Sequence, residues 1–245
     1  MSFTGHRLKL LLAFCLAALV IGAASAPVEG APGPTGDPST SATGASASAT
    51  GLPHRFKGTS SRIDRKTKAK MTGLSWHKGC PVGFLDLRLL KLRYWGFDGD
   101  VHPGKLVVNA DSDRTILRVM RDLFKLHFAF RRMHLVDAYG ADDHRSMAAD
   151  NTSAFNCRFV SGSSNWSEHA YGHAIDINTI ENPYVTPGGY VSPPAGRPYA
   201  SRHPHRKGMI NAGGRVVAAF ADVGWGWGGS WSGTKDFQHF SSSGH

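Results

Sequence analysis

The stretch Ser167-Glu168-His169-Ala170-Tyr171-Gly172-His173-Ala174-Ile175-Asp176-Ile177-Asn178 carries the densest information in this chain about fold and chemistry together. Ile175 and Ile177 alternate with Ala174, Asp176 and Asn178, the period of a strand, so the isoleucines face a core and Asp176 stands on the opposite side of a rigid element. His169 lies seven residues earlier, beyond Gly172, whose conformational freedom permits the sharp turn that brings an imidazole back over the Asp176 carboxylate. Zinc accepts both ligand types at about 2 Å, and a catalytic site takes three protein ligands and leaves a fourth position for water.

Four further histidines compete for the third position. His173 makes a His-x-x-x-His pair with His169, and on a helix both would face one metal. Glu168, however, precedes the first histidine instead of following it, and Gly172 with the β-like run after it argues against a helix, so His173 reads as a neighbour. Asp236-Phe237-Gln238-His239-Phe240, behind a Gly/Trp run from Gly224 to Trp231, supplies His239; His203 and His205 are its rivals, in an Arg-His-Pro-His-Arg segment with the character of a solvated loop. Asp236 precedes His239 by three, which puts them on opposite faces of a regular strand. Asp236 is therefore expected in the turn leading into that strand, where it could act as a general base on metal-activated water. Placed anywhere else it is a surface acid.

Outward from these motifs, the elements alternate without a βαβ rhythm. Leu87–Trp95 reads as a strand, Gly96–Gly99 as a turn and Lys105–Asn109 as the returning strand. Ile116, Val119, Met120, Leu123 and Phe124 recur at helical spacing behind Asp111-Ser112-Asp113, which predicts a helix over 113–128 with Ser112 and its acidic neighbours at the N-terminus. Met133–Tyr139 reads as a strand, and a polar loop follows to about Ser167. Within it, 146–158 suits either the wall of a peptide cleft or a plain surface loop. A Pro- and Gly-rich loop runs to about Gly208, then a helix near Val216–Val223 and a last strand around Phe237–Phe240. This order predicts the α+β class, with a small antiparallel sheet flanked by helices.

The two ends of the chain differ sharply in composition. Residues 1–26 have the pattern of a secretory signal: Arg7 and Lys9, an apolar run from Leu10 to Ala23 shorter than the ~20 residues a bilayer needs, then small residues. The expected locations are accordingly extracellular space or cell wall. From Pro27 to about Pro53 Ala, Ser, Thr, Gly and Pro predominate, and a basic stretch from His54 to Lys70 follows. Residues 27–73 are read together as a disordered linker, with the folded domain at 74–245. The net charge of +10 falls to +8 without the leader, which holds two of the 28 Lys/Arg and no acid. Residues 54–70 hold hardly any aromatics that could stack on bases, so the expected partner is anionic wall polymer or phospholipid headgroup and not nucleic acid, against a solvated tether with no partner. With Cys15 discarded in the leader, Cys80 and Cys157 form an even pair in an oxidising compartment, which favours a disulfide. Closing a loop of nearly eighty residues is worth about 4 kcal/mol on the chain-entropy model.

Taken together, Ser167, His169, Gly172, Ala174 and Asp176, followed by Asp236, His239 and Phe240, resemble the zinc D-alanyl-D-alanine carboxypeptidases and L-alanyl-D-glutamate endopeptidases of peptidase family M15. The resemblance runs from about Cys80 to Phe240. It implies a Hedgehog/D,D-peptidase-like fold, one zinc ion on His169, Asp176 and His239, Asp236 as catalytic base, and the stem peptide of peptidoglycan as substrate of a monomeric enzyme. Family members also carry an arginine that steadies the substrate carbonyl, usually just after a strand-end tyrosine. Here Gly140 follows Tyr139, and the nearest candidates are Arg158, beside Cys157, and Arg145. Two other classes remain open from the residues alone: a wall-binding or signalling module that retains a metal site, and a disulfide-stapled structural domain without metal. The carboxylate three residues before His239 favours catalysis.

Overall fold

Leu87–Gly96 (β2) and Val101–Asn109 (β3) form a long antiparallel hairpin in the computed structural model, which describes residues 52–245. Residues 1–26, read as an export signal, with Cys15 among them, and most of the expected linker lie outside the described residues. Gly58–Arg62 (β1) pairs antiparallel with β2 through five registered residues, and Ala129–Phe130 (β4) adds a short parallel edge to β2.

Each face of the hairpin has its own cover. Leu90, Leu92, Tyr94, Leu106 and Val108 pack with Ile116, Val119, Met120 and Leu123 of Asp113–Lys125 (α2), and the same core takes in Ile175, Ile177, Phe220 and Phe240. Leu87, Leu89 and Val107 are buried instead with Met71, Phe155 and Cys157. The predicted strand pair and the helical spacing are thus both real. The helix ends three residues earlier than expected, and Ser112 makes no side-chain capping bond.

The folded region begins before residue 74, which corrects the expected boundary. Besides β1, Arg65–Met71 forms a helix (α1) whose N-cap Asp64 accepts a hydrogen bond from Thr67 N at 2.8 Å. Its buried face is little more than Met71, and β1 is polar throughout, so neither shows an apolar period; backbone pairing to β2 orders the strand.

The remaining elements are short. Arg132–Met133 (β5) pairs parallel with Asn151–Thr152 (β6), separated by a 3₁₀ turn at Val136–Tyr139 and the helix Asp143–Ala148 (α3). Of the strand expected over 133–139 only Met133 is extended in a strand, and Val136–Tyr139 form the 3₁₀ turn, closed by Gly140 at φ 72°. Glu168–Tyr171 (α4) precedes Ala174–Asp176 (β7); Tyr184–Val185 (β8) and Val191–Ser192 (β9) follow, then Arg215–Ala221 (α5), Gly226–Trp227 (β10), Lys235–Asp236 (β11) and His239–Ser241 (β12). They form two three-stranded antiparallel sheets, ordered β10-β12-β7 and β11-β8-β9. The class is α+β, with several small sheets where one was expected. Cys80 and Cys157 are bonded, as expected, tying the loop after α1 to the segment that runs beneath α4.

Candidate metal centre

His169 sits on α4, a single helical turn, where the sequence argued for strand and turn. Four residues are too few for a periodic signal, but both ends are fixed. Ser167 accepts a hydrogen bond from His169 N at 3.3 Å, and Gly172 closes the turn at φ +75°. Asn109 at the end of β3 holds it from outside, its N–H donating to Gly172 O at 2.9 Å and its side chain to Tyr171 O at 2.9 Å. A Cβ at Gly172 would lie 2.6 Å from Asn109 N, so the position needs glycine for space as well as for φ.

The next strand carries the carboxylate. On β7 and β12, Asp176 and His239 are direct cross-strand partners, and antiparallel pairing holds such side chains together. Asp176 Oδ1 is 3.1 Å from His239 Nδ1 and Asp176 Oδ2 is 3.1 Å from His169 Nε2. All three residues are buried, at 3%, 5% and 7% exposure for His169, Asp176 and His239. One ligand atom from each lies within 4.8 Å of the others.

The outward nitrogens decide what this arrangement can hold. His169 Nδ1 faces Ala154 O at 2.6 Å and His239 Nε2 faces His245 O at 3.3 Å. Main-chain oxygens only accept, so these nitrogens carry the hydrogens, and the lone pairs of His169 Nε2 and His239 Nδ1 turn inward on a carboxylate that also only accepts. Such an arrangement needs a second proton on each ring or a cation between them. His169 Nε2 is buried without a hydrogen bond, 3.1 Å from Asp176 but misaligned with it. Two imidazole lone pairs, one carboxylate and main-chain oxygen support behind both rings form a donor set that fits zinc.

Charge in the cluster is strongly coupled. Burial alone would raise the Asp176 carboxyl, but with a second proton on each ring the charge of His169 and hydrogen bonds from the imidazoles hold it well below the usual carboxylate range. Burial lowers His239, yet Asp176 holds it above the ordinary imidazole value. Asp236 responds in the opposite sense: burial, then repulsion from Asp176, pushes its carboxyl up to about 6. The residue is half-buried, while its Oδ1 is sequestered without a partner.

Asp236 belongs to β11, paired with Tyr184, and not to a turn as expected. Phe237 and Gln238 then carry the chain from one sheet to the next, which lets residues three apart flank one point. Gly228 lies there: a Cβ on it would stand 2.9 Å from Asp236 Cβ and 3.3 Å from His239 Cβ. Trp231 closes another side, its ring 5.6 Å from that of His239.

The other candidates are placed elsewhere. His173 pairs with Asp111 at 3.0 Å, His203 is exposed, and His205 contacts Asn211. Arg158 is ion-paired with Asp143 at 2.9 Å, and Arg145 is exposed on α3; among the described residues neither has a hydrogen bond or ion pair to the cluster. Segment 151–157 is largely buried: Ser153 bridges Asp176, and Asn156 N donates to His169 O at 3.1 Å. A second cluster, His77, Cys80 and Cys157, has its sulfurs committed to the disulfide. The supports at Ala154 O and His245 O escaped the sequence because a main-chain oxygen leaves no residue signature; Gly228 and Trp231 lay unread within the Gly/Trp run.

Residues 161–242 match the family model described as D-alanyl-D-alanine carboxypeptidase. By this match the segment is similar to peptidase family M15. Comparison with curated proteins and with solved structures gives no match. The matched segment contains His169, Asp176, Asp236 and His239, and it begins three residues beyond Arg158.

Proposed function

We propose that the chain is an exported zinc peptidase that hydrolyses the stem peptide of peptidoglycan as a D-alanyl-D-alanine carboxypeptidase, with His169 Nε2, Asp176 and His239 Nδ1 as ligands. The observation that carries this reading is the inward convergence of two imidazole lone pairs on a buried carboxylate, inside the segment matched to a peptidase family. When bound, zinc supplies Lewis acidity, polarising the scissile carbonyl and making a neighbouring water acidic enough to lose a proton near neutral pH. Ala154 O and His245 O hold the rings in the tautomers that such binding needs.

Asp236 supplies the proton chemistry. Its carboxylate, beside the cluster, takes a proton from the attacking water and returns it to the departing amine. Burial and Asp176 raise this carboxyl to about 6 without metal, and a cation in the cluster would draw it back down, leaving the base ionised. Arg158 serves the developing oxyanion only by exchanging its Asp143 partner for substrate. Arg202 is committed to Glu181 O, Asn182 Oδ1 and Ile210 O and so is not free to receive a terminal carboxylate. Export is supported by the leader pattern of residues 1–26.

Digestion of a defined pentapeptide muropeptide, with products weighed, tests the proposal. The expected product has lost one terminal alanine, and Asp236→Asn retains stoichiometric zinc while hydrolysis falls by roughly 10²–10⁴-fold. Full activity in Asp236→Asn, or purified protein that takes up no zinc, overturns it; cleavage between L-Ala and D-Glu keeps the site but reassigns the bond.

A further inference from the structure

The basic stretch before β1 is not a free tether, because part of it builds a cleft. Where the chain entering β1 crosses the C-terminal end of α2, an open concavity of about 420 Å³ is lined by Arg55, Arg121 and Lys125, by His54 and His127, and by Phe56 and Phe124. No acidic residue lines it. Lys125 shares its charge with Asp122 at 2.9 Å, whereas Arg55 and Arg121 have no ion pair among the described residues. Arg121 lies over the Phe56 ring, 6.0 Å from its centroid, and Phe56 meets Phe124 edge-on at 5.7 Å, so the aromatic floor holds the guanidinium in place.

The cleft continues along α2. Arg114, Arg118, Arg121 and Lys125 follow one another at intervals of four, three and four residues, and all are exposed. This spacing puts them on one face of the helix, a cation every ~5–6 Å over roughly 17 Å. A row of that length fits a ligand that bears an anion on each repeat, whereas a single phosphate needs only the cleft.

We infer that the cleft and the α2 row form a binding surface for a linear polyol-phosphate chain, an anionic polymer of phosphodiester repeats without bases. This surface is independent of the proposed peptidase site. A membrane is the poorer fit because the exposed large apolar residues, Leu74, Leu85, Phe159, Val160 and Tyr190, all lie outside the cleft and the row, leaving nothing to insert between lipids. Nucleic acid is poorer too, since the aromatics offer no free face for bases. Phe56 is covered by Arg121, Phe124 is buried, and His54 and His127 present themselves to Trp95 at 4.8 and 4.6 Å.

Fluorescence anisotropy of a labelled poly(glycerol phosphate) titrated with the purified full chain tests the inference. Arg55→Ser with Arg121→Ser is expected to weaken binding about tenfold or more, while Arg65→Ser with Lys66→Ser, which removes equal charge from α1, changes it less than twofold. Muropeptide hydrolysis stays unchanged in both. Arg55→Lys with Arg121→Lys retains most of the affinity, which separates lost charge from lost folding. Failure of the polymer to bind, equal losses in the two serine pairs, or tighter binding at equal charge to phosphatidylglycerol vesicles or to oligothymidylate would each overturn the assignment.

Discussion

Two buried charged clusters lie within this domain and solve the problem of burial in opposite ways. Around Asp176 the counter-charges are two imidazoles, which carry charge only when protonated. Around Asp150 and Glu181, at 3% and 1% exposure, the counter-charge is Arg131, whose guanidinium lies 3.3 and 3.0 Å from the two carboxylates and 3.6 Å over the Phe97 ring. Arginine cannot be deprotonated in a protein, so the second cluster carries its own permanent cation. The first does not, and its inward lone pairs leave that cation to come from outside. A buried carboxylate with a fixed guanidinium reads as architecture; one with converging imidazole lone pairs reads as a site.

The largest expected effect breaks the contrast at the first cluster. His169→Ala removes one of three converging donors and the only one on α4, so stoichiometric zinc and muropeptide hydrolysis should both be lost. The metal-free protein should melt somewhat lower as well, because the change opens space at a buried position and leaves Asp176 with one imidazole. Metal analysis beside a melting curve checks this, and a variant that keeps zinc at wild-type affinity removes His169 from the ligand set.

Arg131→Met makes the converse break. It strands two buried carboxylates, a loss on the order of 3 kcal/mol, or roughly 6–12 °C in the melting midpoint of a domain this size. The variant should still bind zinc when folded, since Arg131 makes its ion pairs with Asp150 and Glu181 alone. A midpoint within 2 °C of wild type would show that the exposed part of Arg131 leaves the carboxylates solvated.

The two clusters also differ in how far the sequence discloses them. His169, Asp176, Asp236 and His239 are legible because each is a chemistry-bearing side chain in a short motif, and the β7–β12 pairing that joins them follows the alternation around Ile175 and Phe240. The Arg131 cluster joins residues 131, 150 and 181 from three loops with no shared motif, so it was invisible. The long hairpin is legible as two apolar runs joined by a turn, and α2 because it buries one face with a clear period. α4 and β1 were missed or misread because a capped single turn and a polar edge strand are ordered by backbone partners. Arg158 looked available beside Cys157 until Asp143, fifteen residues away on α3, turned out to hold it.

The smallest effect sharpens the comparison instead of breaking it. Burial, followed by the neighbouring Asp150, raises Glu181 from 4.5 to about 7, and Arg131 only partly offsets this. One permanent cation thus faces two carboxylates, and its Oε2 has no hydrogen bond. The folded state holds this proton more tightly than the unfolded chain does. The contribution of Glu181 to stability is therefore complete below about 4.5 and is lost as pH rises through about 7. Glu181→Gln removes that titration and leaves Arg131 and Asp150 as a matched pair. Relative to wild type, the variant should gain a few degrees in melting midpoint between pH 5 and pH 8, with zinc binding unchanged. If wild type instead gains on the variant over that interval, Glu181 is ionised and fully satisfied by Arg131, and the second cluster contains no excess charge.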